Sequence, residues 1–114
     1  MKNKKDRSHW TFEDYFAFFL VYAAEADLVV QQDERELIVK KVGEERFSKF
    51  LAYYLEMKDV ERIDMVYEFK KKYCQTDEDS EKALASFKEV LTEDHEMSAV
   101  EQEIFMSVRK ILKA

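Results

Sequence analysis

Asp27, Glu34, Asp94 and Glu101 are the residues of this 114-residue chain whose type and spacing are best suited to chemistry. Carboxylates are ligands for hard divalent cations, and calcium takes roughly six to eight oxygens. Each pair offers an Asp where one helix should end, a Glu near the start of the next, and backbone carbonyls between. Residues 27–38 align without gaps on residues 94–105, an offset of 67. Asp27/Asp94, Glu34/Glu101 and Glu36/Glu103 are identical, and Val30/Met97, Leu37/Ile104 and Ile38/Phe105 are apolar in both copies. Ahead of the turns, Leu20 matches Phe87, Ala23 matches Val90 and Ala24 matches Leu91. Identities set in one apolar frame predict a duplicated helix–acidic turn–helix unit. Glu36 and Glu103 lie two residues past Glu34 and Glu101, about 200° around a helix, and should face away.

The same carboxylates have an ion-free reading. Glu101 stands third after Ser98, the spacing of a capping box, and can accept from the Ser98 amide. Asp94 can accept from orphan amides of the following helix. Glu34 has a weaker version, because Gln31 is a poor cap. Convergence of the two turns would favour an ion. Arg35 is the one basic residue in either twelve-residue motif, so four converging carboxylates would repel, and a cation would relieve the repulsion.

The elements that must hold these residues are helices. One glycine, Gly43, no proline and one asparagine leave little material for tight hairpins. The expected fold is all-α, a compact bundle of about six helices in one domain over residues 1–114. Residues 15–24 are ten apolar residues in a row. A helix apolar on every side belongs inside, and ten residues reach only ~15 Å, half of a bilayer. This is the expected central helix. It should be capped by Thr11 with Asp14, stapled by Trp10 and Tyr15, and run to about residue 26. Further helices are expected over 32–42, closed by Gly43; 44–57, with Phe47, Phe50, Leu51 and Tyr54 on one face; 59–73, capped by Asp59; 80–91; and 98–112, opened by Ser98. Residues 75–80 are the most polar link and the expected surface loop. Short links predict antiparallel packing of neighbours.

Composition narrows the function classes. Net charge is −6, and the basic residues are scattered, which speaks against nucleic-acid binding. The lone Cys74 cannot form an intrachain disulfide and points to a reducing compartment; it is expected as a half-buried structural thiol. The basic start lacks the apolar core of a signal peptide, so the expectation is a cytoplasmic protein with a mobile basic arm over residues 1–9 and no membrane span. Two histidines and one cysteine cannot close a zinc site, no phosphate-cradling glycine loop is present, and no enzyme is expected.

The run Ala26-Asp27-Leu28-Val29-Val30-Gln31-Gln32-Asp33-Glu34-Arg35-Glu36-Leu37-Ile38, repeated over 94–105, resembles the TerB-like family, the helical fold of tellurite-resistance protein B shared by the N-terminal domain of a membrane-anchored DnaJ-like co-chaperone. The resemblance implies an internally duplicated helical module in tellurite resistance or a wider stress response. It also implies a metal-binding acidic surface, carried here by Asp27, Glu34, Asp94 and Glu101. The family commonly has glycine after the Asp; here those positions are Leu28 and His95. The other reading is a structural or protein-interaction domain, a homodimer or partner-binding module, whose acidic turns are caps.

Overall fold

The computed structural model describes residues 7–25, 32–93 and 96–114, without the side chains of Gln32 and Asp33. The described residues form six helices and no strand: α1 (Phe12–Ala24), α2 (Gln32–Val42), α3 (Glu44–Glu56), α4 (Asp59–Tyr73), α5 (Asp77–Leu91) and α6 (Ala99–Leu112). The all-α expectation is met.

α1 is the core, because its sequence leaves it no polar face to turn to water. Tyr15, Ala17, Phe18, Phe19, Leu20, Val21, Ala23 and Ala24 are all buried, and α1 packs on α2, α3, α4 and α5. Thr11 Oγ1 accepts from the Asp14 amide while Asp14 accepts from the Thr11 amide at 3.0 Å, the expected box. Trp10 meets Tyr15 at 5.1 Å between ring centroids and Phe50 of α3 at 4.8 Å. α1 stops at Ala24, with Glu25 as its cap, two residues before the expected end.

Gly43 joins α2 to α3 at φ 96° and ψ 153°, a region only glycine enters without strain. A β-carbon there would meet nothing within 4 Å. Gly43→Ala should therefore destabilise by about 1–3 kcal/mol through backbone strain alone, read as a lower urea midpoint with an unchanged slope.

Three expectations need correction. Asp59 is the first residue of α4, not its cap; the cap is Lys58, whose amide donates to Glu61 at 2.8 Å. Asp59 instead pairs with Arg62. Residues 75–80 are mostly helix, because Thr76 Oγ1 accepts from the Asp79 amide and starts α5 at Asp77. Cys74 is fully buried rather than half-buried, and burial together with the nearby Asp79 charge pushes its thiol up to about 11.

Chain neighbours do not simply pack in order. α3 and α4 are not a main interface; both lie on α1, and α6 lies on α4 and α5. The end of α6 is clamped by those two helices. Lys70 donates to the carbonyls of Leu112 and Ala114, and the buried Ser80 hydroxyl donates to Leu112 at 2.8 Å. Lys113 pairs with Asp77 and Glu81.

Candidate functional site: the paired acidic turns

The repeat seen in sequence recurs in the helix boundaries. α1 ends at 24 and α5 at 91; α2 begins at 32 and α6 at 99. Each pair differs by 67, and the seven-residue links are equal. Ala17/Leu84, Leu20/Phe87, Ala23/Val90 and Ala24/Leu91 are buried in both copies.

α1 and α5 run in the same direction. Phe12 and Phe16, in the first half of α1, share a cleft with Asp79 and Ala83, in the first half of α5. Further along, Phe19 meets Phe87 at 4.8 Å and Tyr22 meets Phe87 at 6.2 Å. Facing positions thus follow the repeat offset, and the helices end together.

Glu34 and Glu101 occupy equivalent places in the first turns of α2 and α6, and both are buried, at 3% and 1% exposure. Burial of a carboxylate is unusual, since Glu is rarely buried without partners, and both copies share it. Glu101 accepts from the Ser98 amide at 2.9 Å while Ser98 Oγ accepts from the Glu101 amide at 3.1 Å. Glu36 and Glu103 are exposed, as their helical phase requires. Asp27 and Asp94 lie outside the described residues, as do Leu28 and His95.

Sequence reasoning missed the polar cluster beside the first turn. Arg62 of α4 lies 3.9 Å over the Tyr54 ring and donates twice to the Tyr54 carbonyl. Tyr22 meets Tyr54 edge-on at 5.9 Å. Burial pushes Tyr54 up to about 12 against the opposing charge of Arg62. Glu25, at the end of α1, is raised by burial, with Arg62 again opposing. The visible signal was a carboxylate interrupting an apolar run; its cationic neighbour is 37 residues away in sequence and leaves no local pattern.

The donor set at the turns is all oxygen, which fits calcium, magnesium or manganese rather than a soft metal. Among the described residues no group of three or more His, Cys, Asp or Glu is placed to hold a metal ion, so an ion at this end needs Asp27 and Asp94. Among the described residues no helix is long and apolar enough to cross a membrane. No protein-family model, curated protein or solved structure matches the chain.

Proposed function

We infer that this chain is a TerB-like binding module of a stress or tellurite-resistance pathway. In this reading its two acidic turns together hold one divalent cation through Asp27, Glu34, Asp94 and Glu101. The observation that supports the reading is the parallel α1/α5 pair, followed in each copy by a helix with a buried Glu at the same place in its first turn. A binding role rather than catalysis is supported by the chemistry of the buried groups. Tyr15 and Tyr54 are pushed up to about 12 and Cys74 to about 11, away from the activated state a nucleophile needs. A reducing, cytoplasmic setting remains part of the proposal through the single buried thiol.

A ligand that binds only the folded chain raises its melting temperature by mass action. Millimolar calcium, magnesium or manganese should raise it by several degrees, with zinc no better. The rise should vanish in the Asp27→Asn, Asp94→Asn double variant. No rise with any ion, or one that survives the double substitution, defeats the reading.

The Ser98–Glu101 box favours a second reading, because those bonds hold the turn without an ion. The chain is then a docking or dimerising domain. That reading predicts no ion-dependent shift and a stable dimer by light scattering.

A further inference from the structure

A second feature lies at the opposite end of the α1/α5 pair. Phe12, Phe16, Phe69 and Tyr73 line a cleft of about 190 Å³ between α1, α4 and α5. A dry cavity of ~150 Å³ is enough for a benzene ring, so this one takes a single ring or a short alkyl chain. Phe12 is 41% exposed although aromatic; it stacks on Phe16 at 5.4 Å and meets Tyr73 edge-on at 5.4 Å. The wall is apolar, but its rim is charged, with Asp79 and Lys82 of α5 lining it.

The rim has a sign. Lys82 is engaged by Glu78 at 3.4 Å, which leaves Asp79 as the uncompensated charge at the mouth. Asp77 and Glu78 of the same first turn are paired with Lys113 and Lys82, so Asp79 alone stands against the positive end of the α5 dipole, worth about half a charge. Aromatic faces themselves attract cations, best when the cation is partly desolvated. An anion would meet Asp79 and gain little from a lysine already paired.

We propose that this cleft is a binding site for a small organic ammonium, an aromatic or alkyl amine whose apolar part enters between Phe12, Phe16 and Tyr73 and whose cation lies against Asp79. A small free ammonium, not one carried on a larger molecule, is the occupant, since the cleft is one ring in size. The site is separate from the acidic turns, and failure of either idea leaves the other standing.

The test uses three probes that share a phenylethyl body, on the full chain: phenethylammonium, neutral ethylbenzene and 3-phenylpropionate. Binding is followed by NMR of the aromatic side chains. Phenethylammonium should saturate, shift the Phe12 and Tyr73 resonances, and bind tightest of the three, with the acid weakest. Asp79→Asn should cut the preference for amine over neutral probe by about five-fold, the upper range for an exposed charge pair. Ala83→Leu should fill the cleft and abolish binding of all three; should that variant not fold, the Asp79→Asn comparison still decides. Equal binding of the three probes, preference for the acid, shifts that map elsewhere, or no saturation overturns the proposal.

Discussion

An alanine at position 87 should lower the unfolding free energy by about 3–5 kcal/mol, the cost of removing a fully buried phenyl ring and leaving a cavity. Phe87 is completely buried. Its ring meets Phe19 and Tyr22 of α1 and Phe105 of α6, at 4.8, 6.2 and 6.4 Å. It is therefore the residue through which the second hairpin grips both the central helix and its own second arm. For a domain of this size the loss corresponds to a melting temperature lower by roughly 15 °C. Phe12→Ala is the control: that ring is part-exposed, and its loss should cost about 1 kcal/mol. Equal effects at the two positions in urea denaturation would show that the α1/α5 contact is not the centre of the fold.

The second large effect is at Glu68, which ties three parts of the chain. Arg7 donates to it through Nε at 2.9 Å and through Nη2, and the Tyr15 hydroxyl donates at 3.0 Å. Glu68→Ala leaves a part-buried guanidinium and a buried phenol without their acceptor. The expected cost at neutral pH is about 2 kcal/mol, reduced from the buried-pair range because the carboxylate is part-exposed. The hydrogen bond from Arg7, opposed by burial and aided by Tyr15, holds Glu68 below its usual value of 4.5. A depressed carboxylate stabilises the fold above its unfolded pKa, and that contribution is lost as pH falls through the folded value. Asp14 acts in the same direction: burial opposes, but the Thr11 amide and Arg46 hold it low. The native chain should therefore lose more stability between pH 7 and pH 3 than Glu68→Gln does. Identical losses in the two proteins would remove Glu68 from the account.

Local signals in the sequence were readable where a side chain acts on its own backbone. Ser98 with Glu101, Thr11 with Asp14, and Gly43 after Val42 all set helix ends where expected, because capping is a matter of three or four residues. The same logic failed where the residue that looks like a cap is not the one that ends the link. Thr76 starts α5 ahead of the acid-rich stretch that looked like a loop, and Lys58 rather than Asp59 ends the link into α4. The 67-residue repeat was legible as residues, and the matching helix ends follow from it. The direction of α5 relative to α1 was not, because it depends on side chains far apart in sequence such as Phe19 and Phe87. Nor was the Arg62–Tyr54–Glu25 cluster legible, for the same reason. Of the site, the buried state of Glu34 and Glu101 was implicit in their helical phase. Asp27 and Asp94 lie outside the described residues.

The central claim is that two copies of one turn share a single ion. Manganese titration, with free ion counted by its paramagnetic resonance signal, tests it most directly. One ion should bind per chain, and Asp27→Asn and Asp94→Asn should each abolish binding singly, since each removes ligands from the same ion. No bound manganese, or full binding retained in either single variant, would contradict a shared site.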